Sequence, residues 1–371
     1  NKCGSYAIFG EIAEEKFLSP SYNRDRNLRP RSGAPGLCER NGSSMAEAMK
    51  YGREEFEVKL PPELIAAELE PNHVDLPQRT VAEHIHYALE HPIDSKPLKE
   101  LVKPGETVCI IISDVTRRWQ SPETYIPILI EELESAGIRD EDMLIISATG
   151  THRCQTKEEH IGLVTKAVYD RIRLVDHQCT DEENLQYVGT TSRGTPVWLD
   201  KRALECDHII LTGGVVYHFM AGFGGGRKSI LPGICSQETV NENHSYKAIS
   251  SPYANTGVLE HNPIHEDMLA AAKMVNVQFI FNVALDGQKK IIAAWAGDLE
   301  KAHAEGVAFI RKWSQCPSIT GDIVVTSNGG YPLDQNLYQS PKAVATAEAC
   351  AGEDGVIIMC CSCADGMGGT H

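Results

Sequence analysis

Short apolar runs of strand length alternate with amphipathic runs of helix length along most of this chain. Apolar runs at residues 107–113 and 143–147 are followed by helical patterns at 123–136 and 157–173, and Ser121 is the predicted N-cap of the first helix. A strand, a covering helix and a second, parallel strand form the basic unit of α/β folds. The alternation therefore predicts an α/β protein with mainly parallel sheets. In such folds, functional side chains gather at the carboxyl ends of the strands.

The same pattern divides the chain into three parts. Residues 1–44 lack a sustained apolar period and are predicted to be a disordered or non-native extension, with Met45 as the natural start. Residues 45–308 are predicted to be an N-terminal cofactor-binding catalytic domain. Helical linkers are expected to join it to a second α/β domain that begins at 309–371, with the active site in the cleft between the two. The glycine-rich end of the sequence predicts that this second domain continues beyond residue 371.

Composition argues against several classes of function. The net charge of −16 over 371 residues makes binding to nucleic acid or to an anionic membrane unfavourable. No apolar run approaches the ~20 residues that a membrane-spanning helix needs. Most of the 12 cysteines lie within apolar runs, and no signal-peptide pattern is present, so they are predicted to be reduced thiols of a cytoplasmic protein. One C-x-x-C pair, Cys360 and Cys363, is weak evidence for zinc, and packing at a strand end is favoured.

Polar loops follow the first two predicted strands. In the first loop, Arg117 could hold a carboxylate by paired hydrogen bonds, with Asp114 and Thr116 fixing the loop. Taken alone, this loop is better explained as a strand end with solvated arginines. In the second loop, His152 lies between small residues and is placed as a general base, although a structural histidine is the commoner case.

The most unusual stretch is glycine-rich: Gly224, Gly225 and Gly226 precede Arg227 and Lys228. Glycines would let backbone N–H groups approach a phosphate or a flat ring. The spacing matches neither a P-loop nor a dinucleotide-binding fingerprint. The lysine would either neutralise a phosphate or form a covalent bond to a cofactor, and composition does not choose between these roles.

Two further segments carry candidate ligands. Gln339 and Lys342 could close over an anionic substrate from the second domain, although solvation at a helix N-terminus would explain them equally well. His244, which lies shortly after the glycine-rich stretch, could bind a metal through a neutral ring nitrogen.

Taken in order, these segments resemble the nickel-dependent lactate racemase family from about residue 60 to the end of the chain. The matching motifs are Asp-x-Thr-Arg at 114–117, Gly-x-His-Arg at 150–153, the block from 218 to 234, Asn-His at 243–244, Asn-Pro-Ile-His-Glu-Asp-Met at 262–268 and the block 329–342. The blocks at 218–234 and 329–342 are long and nearly specific to this family.

The resemblance implies a nickel pincer nucleotide, a pyridinium derivative joined covalently to Lys228 through a thioamide, with His244 as the protein ligand of nickel. Dedicated biosynthetic proteins make this cofactor, so they are expected partners, and protein made without them is expected to lack it. The cofactor is expected to lie against Thr116 and the three glycines. The resemblance leaves a monomer and a dimer both open.

The resemblance also implies that the protein inverts C2 of a small 2-hydroxy acid. Hydride would leave C2 for the cofactor while a histidine takes the hydroxyl proton, and two histidines would serve the two faces of the keto acid. The implied catalytic residues are His152, His218, Asp114 and Arg117. The implied substrate-binding residues are Arg117, Gln339, Lys342, Tyr338 and Met220.

Several alternatives stay open at this point. Val115 stands where close lactate racemases carry histidine, Arg118-Trp119 replaces a Pro-Val pair, and Gly224 replaces a serine. Lactate therefore competes as substrate with larger acids such as malate or a sugar acid, the latter in an aldonate 2-epimerase. A noncatalytic binding homologue is an alternative of another class, which the presence of His152, His218 and Lys228 disfavours. A nicotinamide-dependent dehydrogenase would require a fingerprint that the chain lacks.

Overall fold

The computed structural model describes residues 7–9, 46–59, 64–68, 74–314 and 319–368. Contacts divide the chain into two units. The small unit combines Asn1–Asp75 with Lys312–Gly368, and the large unit comprises Leu76–Arg311 with Gly369–His371. The described residues 46–59 and 64–68 thus group with the C-terminal part of the chain.

The described strands are β1 (Ala7–Phe9), β2 (Ala46–Tyr51), β3 (Glu54–Lys59), β4 (Ile65–Glu68), β5 (Val108–Ser113), β6 (Met143–Ala148), β7 (Arg173–Asp176), β8 (Leu185–Thr190), β9 (Pro196–Asp200), β10 (His208–Gly214), β11 (Tyr217–His218), β12 (Gly222–Phe223), β13 (Val277–Leu285), β14 (Ile291–Gly297), β15 (Gly321–Ser327) and β16 (Ala351–Cys360). The described α-helices are α1 (Val81–Glu90), α2 (Leu98–Leu101), α3 (Pro122–Ser135), α4 (Lys157–Val164), α5 (Lys166–Tyr169), α6 (Lys201–Leu204), α7 (Gln237–Asn243), α8 (Tyr246–Ile249), α9 (Pro263–Ala272), α10 (Lys301–Ser314) and α11 (Pro341–Glu348).

The large unit is built on a six-stranded sheet with the order β14-β13-β10-β5-β6-β7. Its strands are parallel except β14, which runs antiparallel to β13 at one edge. The predicted α/β fold with a mainly parallel sheet is therefore confirmed.

Both faces of this sheet are covered, so its central strands are apolar throughout. Alternate residues of β5 enter two separate cores: Ile110 and Ile112 pack with α1, α3 and α4, whereas Cys109 and Ile111 pack with α9 and the segment after β12. Every residue of β5 and β6 is buried. This burial explains why these strands read as continuous apolar runs rather than as alternating ones.

The register of the sheet brings three loops to one edge. Ser113, the last residue of β5, pairs with Ala148, the last residue of β6. On its other side β5 pairs in parallel with β10, whose last residue is Gly214. The loops that follow β5, β6 and β10 therefore leave the sheet side by side.

Two local predictions need correction. The helix predicted at 157–173 is interrupted at Thr165, whose φ of +77° ends α4 and whose hydroxyl accepts from Val168 N–H to begin α5. Ser121 does precede α3, but it adopts a left-handed conformation and makes no side-chain cap. Its hydroxyl donates instead to Lys289 O at 3.3 Å.

The small unit contains a four-stranded sheet with the order β16-β15-β1-β4. Strands β15 and β16 are parallel, and β1 is antiparallel to both of its neighbours. β1 falls within the extension predicted at 1–44 and pairs with β15. The rest of that predicted extension lies outside the described residues.

Two findings bear on the predicted environment. In the part of the chain that the structure describes, no helix combines the length and apolar character needed to cross a membrane. Among the described cysteines, Cys109 is a free thiol and is fully buried.

Candidate active site

A buried carboxylate organises the loop after β5. Asp114 is 1% exposed, and its Oδ2 accepts a hydrogen bond from His152 Nδ1 at 2.5 Å. Its Oδ1 accepts from Thr116 Oγ1 at 2.6 Å and from Arg117 Nη1 at 2.9 Å. The structure therefore brings together four of the predicted site residues, Asp114, Thr116, Arg117 and His152, which we call the Asp114 cluster.

The charges of the Asp114 cluster keep the carboxylate ionised. Burial raises the pKa of Asp114, but the neighbouring His152, Arg117 and Thr116 lower it by more than burial raises it. The pKa therefore lies well below its usual range. Because a carboxylate only accepts hydrogen bonds, His152 carries its ring proton on Nδ1. Nε2 is then the nitrogen through which this imidazole exchanges a proton.

The glycine-rich segment, which we call the glycine loop (residues 218–229), is held from within by Arg227. This side chain is 1% exposed. Its Nη2 donates to Ala221 O at 2.9 Å, and its Nη1 lies 3.1 Å from His303 Nε2 on α10. Burial lowers the pKa of Arg227 to about 9, so the guanidinium is still charged at neutral pH. Among the described residues, no carboxylate lies within ion-pair distance of it.

Two of the glycine amides are already used inside the protein. Gly224 N–H donates to Val216 O at 2.8 Å, and Gly226 N–H donates to Asn282 Oδ1 at 3.0 Å. Gly225 has a φ of +76°, and a Cβ there would lie 2.7 Å from Asn282 Oδ1. Glycine is required here by backbone conformation and close packing, which differs from the phosphate-binding interpretation for Gly224 and Gly226.

The glycine loop brings His218 and Lys228 together. Lys228 Nζ lies 3.2 Å from His218 Nε2. The backbone N–H groups of Met220 and Ala221 point at His218 Nδ1, at 3.4 and 3.2 Å. His218 Nδ1 is therefore the acceptor nitrogen of this imidazole. Proton exchange then occurs at Nε2, the nitrogen that faces the lysine.

His244 directly follows α7, and the charge of Lys228 acts on its imidazole. Burial, followed by the charge of Lys228, lowers the pKa of His244 to about 4. Its Nδ1 is buried and has no hydrogen-bond partner among the described residues. The preceding Asn243 anchors this corner by donating to Asp267 Oδ2 at 3.0 Å. His244 is thus a neutral imidazole at physiological pH, which is the form that binds metals.

Close contacts join the three loops of the large unit. Gly150 N–H donates to Gly233 O at 3.0 Å, which links the His152 loop to the segment just after the glycine loop. A Cβ on Gly213 would lie 3.7 Å from Gly225 Cα and 3.9 Å from Ser113 Oγ. The loops after β5, β6 and β10 therefore form one site, as the sheet register requires.

The remaining predicted residues are distributed between the units. Met220 belongs to the glycine loop and is 9% exposed. Gln339, Lys342 and Tyr338 belong to the small unit, at the start of α11. There Lys342 Nζ donates to Gln339 Oε1, and Tyr338 is 55% exposed.

Sequence reasoning missed several residues that build this site. Gln155, Asn282 and His303 each bond to one of the loops, although they lie outside the recognised motifs. Arg227 was considered only for the glycine spacing that it interrupts. A polar residue within a buried strand or on an apolar helix face was the available signal, and Asn282 in β13 is an example.

No group of three His, Cys, Asp or Glu side chains in the described ranges is arranged to hold a metal ion by itself. The resemblance to the lactate racemase family implies that a cofactor supplies the further ligands of a metal at His244. The neutral imidazole of His244 and the neighbouring Lys228 amine are of the right chemistry for such a group.

Comparison with known proteins identifies the family. The lactate racemase N-terminal domain matches residues 51–257, and the lactate racemase C-terminal domain matches residues 316–371. A lactate racemase of Thermoanaerobacterium thermosaccharolyticum is 40% identical over 323 residues, covering 86% of this chain and 75% of that protein. A lactate racemase of Lactiplantibacillus plantarum is 43% identical over 287 residues, covering 77% of this chain and 67% of that protein.

A structural comparison identifies one of the same relatives. The solved structure of the lactate racemase apoprotein from T. thermosaccharolyticum matches with a TM-score of 0.77 at 39% identity, covering 88% of this chain and 76% of that chain. The chain therefore belongs to the lactate racemase family and is an isomerase.

Proposed function

We propose that this protein inverts C2 of a small 2-hydroxy acid, with lactate as the first candidate substrate. The relatives that it matches are lactate racemases. One observation carries the proposal: His152 and His218 are both anchored through Nδ1, the first by a carboxylate and the second by backbone N–H groups. Each imidazole is thereby directed to exchange protons through Nε2.

Two such imidazoles fit the demands of inversion. The C2 hydrogen of a 2-hydroxy acid is a poor acid, so direct removal as a proton is costly. Its departure as hydride to an electron-poor acceptor, while a base takes the hydroxyl proton, gives a neutral keto group instead. His152 Nε2 serves as that base on one face, with Asp114 stabilising the imidazolium that forms. After the keto acid has turned, His218 Nε2 exchanges the proton of the same oxygen on the opposite face.

The cofactor in this proposal is the nickel pincer nucleotide, which supplies a hydride-accepting ring when bound. Lys228 would carry it covalently, and His244 would be the protein ligand of nickel. Arg117 would hold the substrate carboxylate, because a guanidinium matches carboxylate geometry. Thr116 and the glycines Gly224, Gly225 and Gly226 would line the cofactor. The further substrate-binding residues would be Gln339, Lys342, Tyr338 and Met220.

The first test measures attachment. Protein produced together with the cofactor-biosynthesis proteins is expected to gain the mass of the cofactor and to contain nickel. Lys228→Ala is expected to gain neither, whereas Lys247→Ala, at an exposed position on α8, serves as the matched control. A loaded, active Lys228→Ala protein would overturn the assignment.

The second test follows the hydrogen at C2. Racemisation of L-lactate in D₂O is expected to give D-lactate without deuterium at C2, because hydride does not exchange with solvent. Deuterium at C2 would indicate ordinary proton abstraction. His152→Gln and His218→Gln are each expected to lower turnover by about 10²–10⁴-fold, whereas His261→Gln, whose side chain is 67% exposed, should not. Parallel assays with malate and a sugar acid decide the substrate.

A further inference from the structure

Gln155 makes a second connection between the two loops that meet at the Asp114 cluster. Its Oε1 accepts the N–H of Val115, the residue after Asp114, at 2.6 Å. Gln155 lies three residues after His152, which forms the first connection through Asp114. The two loops are therefore joined twice, once between side chains and once from the Gln155 amide to the backbone of the other loop.

The amide of Gln155 is fixed in one orientation by β6 and β7. Its Nε2 donates to Ser147 Oγ at 2.6 Å and to Asp176 Oδ1 at 2.8 Å. Its backbone N–H donates to Asp176 Oδ2 at 2.7 Å. Because the two donor hydrogens point toward Ser147 and Asp176, the carbonyl oxygen can only point toward Val115.

Asp176 is itself held as a carboxylate. It is the last residue of β7 and also accepts from His160 Nε2 at 2.8 Å. Burial raises the pKa of Asp176, but the hydrogen bonds from His160 and Gln155 outweigh burial and lower the pKa overall. An ionised acceptor strengthens the hydrogen bonds that orient Gln155.

We infer that Gln155, oriented by Asp176, is a positioning residue that sets the distance between Asp114 and His152. The inference rests on the proposed role of His152 as the base. Backbone N–H of Val115 is covalently next to Asp114, so a shift of this anchor moves the carboxylate away from the imidazole. Misplacement by a fraction of an ångström is enough to slow proton transfer, since catalysis depends on near-contact geometry.

The decisive variant is Gln155→Glu, which keeps the length and shape of the side chain. It replaces the amide donor with a carboxylate oxygen that faces Asp176, so the two carboxylates repel and the contact with Val115 is lost. The exchange variant Gln155→Glu/Asp176→Asn restores one donor and one acceptor across this pair. Gln155→Asn, shorter by one methylene, is the second variant should Gln155→Glu fail to fold. Gln186→Ala, at an exposed position on β8, is the matched control.

The first readout does not require loaded enzyme. The short hydrogen bond between His152 Nδ1 and Asp114 should give a low-field proton resonance in the apoprotein, assigned by its loss in Asp114→Asn. We expect this resonance to vanish or move upfield in Gln155→Glu, to return in part in the exchange variant and to be unchanged in Gln186→Ala. A folded Gln155→Glu or Gln155→Asn protein with an unchanged resonance would overturn the inference.

The second readout uses the loaded enzyme. We expect kcat to fall about 10- to 100-fold in Gln155→Glu, with KM and nickel content nearly unchanged, and to recover in part in the exchange variant. Loss of nickel with unchanged kcat per nickel would instead show a purely structural role. If the native enzyme turned over no 2-hydroxy acid, the proposed function would fail, yet the resonance would still test whether Gln155 positions the pair.

Discussion

The Asp114 cluster and the glycine loop each contain a buried charge, but the two charges have different surroundings. Each contains a charged side chain that is 1% exposed, Asp114 in one and Arg227 in the other. Asp114 is surrounded by a histidine, an arginine and a hydroxyl that all donate to it. Arg227 contacts only carbonyl oxygens and the neutral ring of His303 among the described residues.

The difference shows which part of the site is complete without a ligand. The Asp114 cluster is preassembled, because its negative charge is matched by partners from its own chain. The glycine loop carries the positive charges of Arg227 and Lys228, and no described carboxylate lies within ion-pair distance of Arg227. The positive potential of the loop favours an anionic group. In the proposed function that group is the cofactor, and the preassembled cluster handles protons beside it.

The largest effect that separates the two regions is expected from Asp114→Asn. The amide has one acceptor oxygen and no charge, so it cannot accept from both His152 Nδ1–H and Arg117. His152 therefore loses its fixed tautomer. We expect turnover of the loaded enzyme to fall about 10²–10⁴-fold. Nickel content and the mass added at Lys228 should be unchanged, since the glycine loop is anchored separately.

Asp142→Asn is the control for this substitution, because Asp142 pairs with Arg139 on the surface, far along the chain from the proposed site. Equal losses of cofactor and of turnover in Asp114→Asn would contradict the separation of the two regions.

The glycine loop is best challenged at Gly225. An alanine there would place its Cβ 2.7 Å from Asn282 Oδ1 at a φ of +76°. We expect destabilisation of about 3 kcal/mol from backbone strain and displacement of Asn282, measured by denaturant unfolding of the apoprotein. Gly194→Ala also has a positive φ, but nothing lies within 4 Å of the added Cβ. Its cost should be only about 1 kcal/mol, and equal costs at both positions would show that packing at the loop is unimportant.

Much of the large unit could be predicted from the sequence, because its strands are buried on both faces and therefore read as apolar runs. β5 and β6 were both predicted within one residue of their observed ends. The break at Thr165 was not predictable, since a threonine at positive φ carries no compositional signal. The pairing of β1 with β15 depends on partners that lie more than 300 residues apart, and local patterns do not report such contacts.

The candidate site was predictable in its residue types but not in its supports. Asp114, Thr116 and Arg117 share a motif, so their association followed from spacing. The contact between His152 and Asp114 required the register of β5 and β6. Gln155 and His303 could not be recognised, because each acts through a hydrogen bond to a distant loop and leaves no periodic trace in the sequence.

Acid titration should separate the two regions by pH. Burial, followed by the charge of Arg227, lowers the pKa of His303 to about 3. The unfolded chain takes up this proton near pH 6.5 and the folded chain only near pH 3. The free energy of unfolding is therefore unaffected by His303 above pH 6.5. Below pH 6.5 it falls by about 1.4 kcal/mol per pH unit because of this histidine. The pKa of Asp114 is also lowered, but this group is an acid. Its contribution to stability is therefore lost only as the pH falls below its usual pKa of about 3.9.

His303→Gln isolates the upper part of that profile. The amide can still donate to Gly224 O, which His303 Nε2 contacts at 2.8 Å, but it does not titrate. We expect the slope of unfolding free energy between pH 6.5 and pH 4 to become shallower, with the parts due to His244 and His265 retained. A profile identical to that of the native protein would show that His303 is not protonated on unfolding in this range.

The smallest expected effect is that of Thr116→Val, which tests how redundant the Asp114 cluster is. The hydroxyl donates to Asp114 Oδ1 at 2.6 Å, yet that oxygen also accepts from Arg117 Nη1. The carboxylate therefore keeps a charged donor when the hydroxyl is removed, and we expect a loss of about 1 kcal/mol in stability and less than tenfold in turnover. A loss as large as that of Asp114→Asn would mean that Thr116 contacts the cofactor or substrate directly, because its hydrogen bond within the cluster is too small a part of the network to produce it.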